Sequence, residues 1–124
     1  MIRIVICCGG GFSSSFMAKK VEKEIKELGL HNEYDISFMP FGSFKKVYKD
    51  YDVAMLCPHL RYNADNWVRQ ENVDIPIYVL PPQIYGLMNA QIIIEDAQDV
   101  IDLFNKTKTN LVFFPGEEET LTNQ

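Results

Sequence analysis

Positive charge is scarce in this chain. Its 124 residues include 12 Lys and Arg against 17 Asp and Glu, which gives a formal net charge of -5. No stripe of Lys and Arg interleaves with aromatic residues, although a protein that binds a phosphate backbone needs such a surface. The composition therefore argues against nucleic acid as a partner.

Cysteine and histidine are also few. The sequence has three cysteines without Cys-x-x-Cys spacing, and its two histidines are His31 and His59. An odd number of cysteines without paired spacing is typical of a reducing compartment rather than of a disulfide framework. Two histidines leave too few ligands for a zinc site. We therefore expect no metal, no cofactor and a thiol that is available for chemistry.

Long hydrophobic runs are missing as well. The apolar start of the chain contains Arg3 and reaches glycine at once, unlike a signal peptide or a membrane span. We expect a cytoplasmic protein. The length suits one domain, predicted at residues 1–106, followed by a C-terminal extension at residues 107–124. We expect that extension to be a partly mobile acidic tail, with the apolar residues 111–114 packing back on the domain.

The apolar periodicity alternates between strand and helix along the chain. Strands are predicted at residues 2–7, 32–38, 52–57 and 75–80, and helices from about Ser13, from a Ser43 cap, over 63–70 and from an Asn89 cap. Parallel neighbours need crossover helices, so the predicted class is α/β, a small doubly wound four-stranded parallel sheet with helices on both faces. The expected strand order is 2-1-3-4, as in flavodoxin-like and low-molecular-weight phosphatase-like folds.

The same periodicity predicts which side chains are buried and which face solvent. Strand alternation predicts Cys7 in the core, on the face opposite to Cys8. The remaining assignments are Phe44, Val47 and Tyr48 inward on the second helix, Trp67 and Val68 in the core, and Lys19, Lys20, Arg61 and Arg69 as solvated charge.

A glycine-rich loop stands between the first strand and the first helix. Its glycines let backbone N–H groups point inward, and its serines add hydroxyl donors where the helix dipole favours an anion. A thiolate at Cys8 is stabilised there, so Cys8 is the candidate nucleophile for a phosphorus centre. The candidate phosphate-binding residues are Gly9, Gly10, Gly11, Phe12, Ser13, Ser14 and Ser15.

Three motifs resemble one protein family. The pattern Cys8-x-x-Gly11-x-Ser13-x-Ser15 is similar to the start of the enzyme IIB subunits of the lactose/cellobiose branch of the bacterial sugar phosphotransferase system (PTS). Cys57-Pro58-His59-Leu60-Arg61-Tyr62 resembles the Gly-Pro-Gln segment with a nearby tyrosine that these proteins carry after the third strand. Tyr85-Gly86-Leu87-Met88-Asn89 resembles their Tyr-Gly-x-x-Asn or Asp stretch after the fourth.

The resemblance implies a function. Cys8 would accept a phosphoryl group from a phosphohistidine of a IIA phosphocarrier protein and pass it to a sugar bound by the membrane IIC permease. The protein would be a phosphotransferase that associates peripherally with IIC, and the sugar would be of the β-diglucoside or disaccharide class. The chain departs from the family pattern at Cys57, His59 and Pro81, where glycine, glutamine and aspartate are usual.

Three further side chains are possible accessories of the site. His59 has the chemistry to hydrogen-bond a phosphate or carry a proton, although a surface histidine opening a helix is the more ordinary case. Tyr62 and Tyr85 could line a partner-facing edge, but an aromatic at a packing margin is the default.

Cys57 ends the third predicted strand, so a Cys8–Cys57 disulfide that blocks phosphorylation is a hypothesis, with an inert Cys57 as the alternative.

Other functions share parts of this sequence pattern. A low-molecular-weight phosphatase needs an arginine closing its loop, but that position is Ser14, so the bidentate guanidinium that would stabilise a transferring phosphoryl group is missing. A nucleotide-binding module is disfavoured because no Gly-Lys-Ser/Thr follows the glycines. A repurposed, phosphorylation-sensitive regulatory or binding module remains the main alternative to a transport component.

Overall fold

The computed structural model describes residues 1–8, 14–81 and 89–112. In these parts of the chain the strands are β1 (Ile2–Cys8), β2 (Tyr34–Pro40), β3 (Val53–Leu56) and β4 (Ile77–Val79). The α-helices are α1 (Ser14–Glu27), α2 (Phe41–Val47), α3 (Arg61–Glu71) and α4 (Ala90–Thr107), and 3-10 turns cover Tyr48–Asp50 and Pro58–Leu60. No described helix combines the length and the apolar character needed to cross a membrane.

The four strands form one parallel sheet in the order β2-β1-β3-β4. This confirms the predicted fold class and strand order. Alternate residues of β1 serve opposite faces: Ile4 and Ile6 pack with α1 and α4, and Val5 and Cys7 pack with α2 and α3. Because both faces are covered, the strands are almost continuously apolar.

An aromatic cluster fixes α2 against α3. The Trp67 ring meets Phe41, Phe44 and Tyr48 at centroid distances of 5.5, 5.6 and 5.2 Å, each close to edge-on. Edge-to-face pairs of this kind add to the free energy gained by burying the rings. The core positions predicted for Trp67 and Phe44 are confirmed, and the cluster determines where α3 lies on the sheet.

The start and inner face of α2 differ from the prediction. Ser43 is not a cap, because the helix begins at Phe41 and Pro40 takes the N-cap position. Val47 does not face inward but is 38% exposed. The helix ends there, and the following 3-10 turn brings the half-buried Tyr48 against Trp67 in its place.

Strand and helix bounds also shift by a few residues. β2 starts two residues later than predicted and includes Pro40, and α3 begins at Arg61 rather than at residue 63. β3 and β4 are shorter than the apolar runs that predicted them. The last helix does begin at an Asn89 cap, whose Oδ1 accepts a 2.9 Å hydrogen bond from Ile92 N.

The Asn110 side chain fastens the chain after α4 to the start of β4. Its Oδ1 accepts a 2.8 Å hydrogen bond from Ile77 N, and its Nδ2 donates to the carbonyls of Val73 and Ile75 at 3.1 and 2.7 Å. Val112 then forms a parallel bridge with Tyr78, and its N donates to Ile77 O at 2.9 Å. Leu111 and Val112 are buried in the core, while residues 113–124 lie outside the described chain. The division at residue 106 stays a prediction.

Replacing Asn110 by alanine should lower the free energy of unfolding by about 2–4 kcal/mol, because three backbone groups lose their partner at once. Urea unfolding followed by circular dichroism measures the change. The matched control is Asn105→Ala, the same substitution at an exposed position of α4, which should leave the stability within about 0.5 kcal/mol. Equal effects of the two substitutions would contradict the role assigned to Asn110.

Candidate functional site

The carboxyl ends of three strands meet at one edge of the sheet. Cys57 N donates a 3.0 Å hydrogen bond to Cys7 O, and Leu80 N donates a 2.8 Å hydrogen bond to Leu56 O. The pairing of Cys7 with Leu56 puts Cys8, the last residue of β1, next to Cys57 in register. Ligands of doubly wound folds bind at this edge, at the point where the strand order reverses. That point lies between β1 and β3, because the chain moves from β1 outward to β2 and then returns to β3.

The backbone of Cys8 thus ends β1, one of the two inner strands, and α1 begins six residues later at Ser14. Ser14 and Ser15 form the first turn of that helix, where backbone N–H groups and the helix dipole favour an anion. Gly9, Gly10, Gly11, Phe12 and Ser13 lie outside the described residues. Their role as a phosphate cradle stays a prediction.

His59 and Tyr62 lie at the same edge, after β3. His59 is exposed within the 3-10 turn Pro58–Leu60, and Tyr62, in the first turn of α3, is 77% exposed. A tyrosine this exposed contributes little to the core and leaves an amphipathic ring at the surface. Tyr85, the third predicted accessory, lies outside the described residues.

Cys57 is fully buried and belongs to the cluster that α2 and α3 form with the sheet, together with Cys7. The register brings residues 8 and 57 side by side, but the Cys57 side chain lies on the same face as Cys7, opposite to the face predicted for Cys8. The register therefore does not test the Cys8–Cys57 disulfide hypothesis, which stays a prediction. Peptide mapping after mild oxidation should reveal a linked Cys8/Cys57 peptide, and the hypothesis fails if both cysteines are recovered only in unlinked peptides.

Arg61 is not the solvated charge that the sequence predicts. It is half-buried, and its Nε atom is shielded from solvent without a hydrogen-bond partner among the described residues. The cause is its place on α3: Ala64 and Val68, three and seven residues later, are buried on the sheet-facing side. Arg61, Ala64 and Val68 form a stripe along one side of the helix. Arg61 lies at the end of the stripe nearest to the carboxyl ends of the strands.

The other arginine of α3 behaves as predicted. Arg69 is exposed, and its Nη2 lies 3.1 Å from Asp65 Oδ2 in an ion pair one helical turn apart. Arg61, in contrast, has no ion pair within the described chain. Leaving a buried donor of a charged group without an acceptor costs about 1–3 kcal/mol or more. Of these two arginines, Arg61 is therefore the one whose unpaired donor costs free energy in the folded state.

The start of α4 is held from two sides. Asn89 caps the helix from within, and Glu24 of α1 reaches across so that its Oε1 accepts a 3.0 Å hydrogen bond from Ala90 N. A negative side chain at a helix N-terminus is favourable for the helix dipole. The two contacts fix the point at which the chain returns from residues 82–88, which contain the Tyr85 motif. No local pattern predicts the Glu24 contact, because the partners are 66 residues apart.

The described residues contain no group of three or more His, Cys, Asp or Glu side chains that could hold a metal ion. The carboxyl edge of the sheet offers groups of another kind. It combines a helix N-terminus, a cysteine at the end of β1 and an arginine with an unpaired donor.

Solved structures share this fold. The solution structure of the cellobiose-specific phosphotransferase IIB component from Borrelia burgdorferi is similar with a TM-score of 0.64 and 24% identity, covering 82% of this chain and 92% of that one. The lactose-specific IIB component domain of the phosphoenolpyruvate:carbohydrate phosphotransferase system from Streptococcus pneumoniae gives a TM-score of 0.54 and 11% identity, covering 79% and 95%. At these identities the likeness concerns the fold alone.

The sequence itself identifies the family. No curated protein sequence gives a significant match to the chain. The family model of the lactose/cellobiose-specific IIB subunit of the PTS, however, matches residues 3–96, from the first strand into the last helix. This range covers the three motifs and the carboxyl ends of all four strands. The chain belongs to the lactose/cellobiose-specific IIB subunits of the PTS.

Proposed function

We propose that the protein is a phosphoryl carrier that uses Cys8 as its covalent acceptor, taking the phosphoryl group from a IIA protein and giving it to a sugar held by a membrane IIC permease. The observation that carries the proposal is the place of Cys8. It ends β1, one of the two inner strands, at the edge where the strand order reverses, directly before residues 9–13 and the start of α1.

The transfer is written as two displacements. The Cys8 thiolate attacks the phosphorus of the IIA phosphohistidine, the P–S bond forms as the P–N bond breaks, and the imidazole nitrogen keeps the electron pair and takes up a proton. A sugar hydroxyl oxygen then attacks the same phosphorus. The P–O bond forms as the P–S bond breaks, the thiolate is regenerated and the hydroxyl proton is released to a base or to water.

Phosphoryl transfer of this kind depends mainly on positioning and on stabilising charge. The N-terminus of α1 supplies oriented N–H groups, and residues 9–15 would complete the cradle around the phosphoryl oxygens. The exposed His59 and Tyr62 lie on the side from which partners would approach. The sugar would be of the β-diglucoside or disaccharide class, and the protein would work in the cytoplasm at the surface of IIC.

The test is intact-protein mass spectrometry after incubation with phosphoenolpyruvate, the two general phosphotransferase proteins and a lactose/cellobiose-type IIA. A single phosphoryl adduct that maps to Cys8 and disappears when IIC membranes and sugar are added supports the carrier role. An adduct that forms but never reaches sugar favours a regulatory module. No adduct, with IIA shown to be phosphorylated, overturns the proposal.

A further inference from the structure

Arg61 has an unusual combination of properties for a cation on a helix. Its side chain is half-buried, and its Nε–H is shielded from water with no acceptor among the described residues. Buried donors are nearly always paired, and an exception calls for an explanation such as a missing ligand. The ligand that satisfies a guanidinium best is a carboxylate or phosphate, because its N–H groups form a planar fork.

The direction of the side chain follows from the packing of α3. Arg61 begins the stripe that continues with Ala64 and Val68, both buried against the sheet. The stripe therefore directs the half-buried Arg61 toward the face of the sheet that holds Cys7 and Cys57. Trp67, held by aromatic rings of α2 and of the 3-10 turn that follows it, keeps the helix from rotating away from this orientation.

The position of Arg61 in the fold places it near the end of β1. Residue 57 lies beside residue 8 in register, and the short 3-10 turn Pro58–Leu60 leads directly from there to Arg61. The hydrogen bond from Cys57 N to Cys7 O, 3.0 Å long, holds the beginning of this turn against β1. The turn therefore brings a half-buried cation to the strand edge at which the backbone of Cys8 ends.

We propose that Arg61 binds the phosphoryl group carried by Cys8, donating charge-assisted hydrogen bonds to its oxygens from the side of α3. The inference rests on the proposed function, since it needs a phosphoryl group at Cys8. In a phosphatase, an arginine closes the phosphate-binding loop, but Ser14 stands at that position in this chain. The proposal therefore takes the cation from α3 instead of from the loop. Arg61 binds and orients the group and transfers no proton.

This role predicts a separation between stability and activity. Arg61→Met removes a buried donor that has no partner, so the unfolding midpoint in urea should stay unchanged or rise. The rate of phosphoryl uptake from a limiting amount of phosphorylated IIA should fall by about 10- to 100-fold, the effect of losing a charge-assisted hydrogen bond. Arg61→Gln should be similarly slow, and Arg61→Lys should recover part of the rate.

Arg69→Gln is the matched control for charge. It removes the same positive charge from the same helix, about 12 Å further along the axis, at an exposed residue whose partner is Asp65. Its uptake rate should lie within about twofold of wild type, because exposed charges at this distance are largely screened. A loss equal to that of Arg61→Gln would show a general charge effect and overturn the assignment.

A direct measurement separates phosphoryl binding from partner docking. In the isolated wild-type protein, the 15N–1H resonance of Arg61 Nε should move downfield when Cys8 carries a phosphoryl group, since the proton gains an acceptor. The Arg69 Nε resonance should not move. An unchanged Arg61 resonance in the phosphorylated protein overturns the inference even if the variants are slow, because slow uptake would then reflect contact with IIA.

The outcomes also distinguish this inference from the proposed function. If wild type is phosphorylated on Cys8 and the Arg61 variants react within about twofold of its rate, Arg61 has no phosphoryl contact while Cys8 remains the carrier. If wild type takes up no phosphoryl group from an active IIA, the carrier role fails and the assignment of Arg61 fails with it.

Discussion

Replacing Cys8 by serine is expected to abolish phosphoryl uptake from IIA, with the rate falling by at least about 1,000-fold. A serine hydroxyl is a weak nucleophile at neutral pH unless a neighbouring base takes its proton, whereas a thiol near a helix N-terminus is readily ionised. Intact-protein mass spectrometry of the variant, under conditions that phosphorylate wild type, measures the loss. Circular dichroism should show the same folded spectrum for both proteins.

The matched control is Cys57→Ala. It removes the thiol that lies beside Cys8 in register but is fully buried on the face of α2 and α3. The Cys57→Ala protein should still acquire one phosphoryl group at a rate close to that of wild type. A Cys8→Ser protein that passes phosphate on to sugar would show that another residue is the carrier.

Truncating Phe44 to alanine is expected to lower the free energy of unfolding by about 3–5 kcal/mol. The ring is fully buried, and it contacts Phe41, Tyr51 and Trp67 at centroid distances of 6.5, 6.0 and 5.6 Å. Its removal opens a cavity between α2 and α3 that the surrounding rings cannot fill. Urea unfolding followed by Trp67 fluorescence measures the change, because this variant retains the single tryptophan.

Val47→Ala is the control on the same helix. Val47 is 38% exposed, and alanine has the higher helix propensity, so the stability should change by no more than about 0.5 kcal/mol. A large loss for Val47→Ala would mean that this side chain faces inward, as the apolar spacing first indicated. A small loss for Phe44→Ala would contradict the central place of the aromatic cluster.

The fold was predictable because its strands are buried on both faces. Apolar runs such as the one around Val5 and the one around Ala54 stand out between helical patterns, and their alternation restricts the topology to crossover connections. The start of α2 was not predictable by the same means. Ser43 has the chemistry of a cap, and only the packing of Phe41 on Trp67 shows that the helix begins earlier.

The candidate site was predictable as far as its motifs lie at strand ends. Cys8 and the residues after β3 could be assigned to one edge from the order of strands alone. Arg61 was missed because arginines on helices are usually solvated, although its spacing to Ala64 and Val68 was visible in the sequence. The Asn110 and Glu24 contacts join residues 33 to 66 positions apart, and no local pattern encodes them.

The hydrogen bonds of Asn110 set a limit on how far this protein can be shortened. A chain that stops near the end of α4 keeps all four strands but loses Asn110 and Val112, which cover Ile77 and Tyr78. The outer strand β4 would then present unpaired backbone groups to other molecules, a template for strand-to-strand aggregation. Truncated versions intended for solution work should therefore retain residue 112, because solubility as well as stability depends on it.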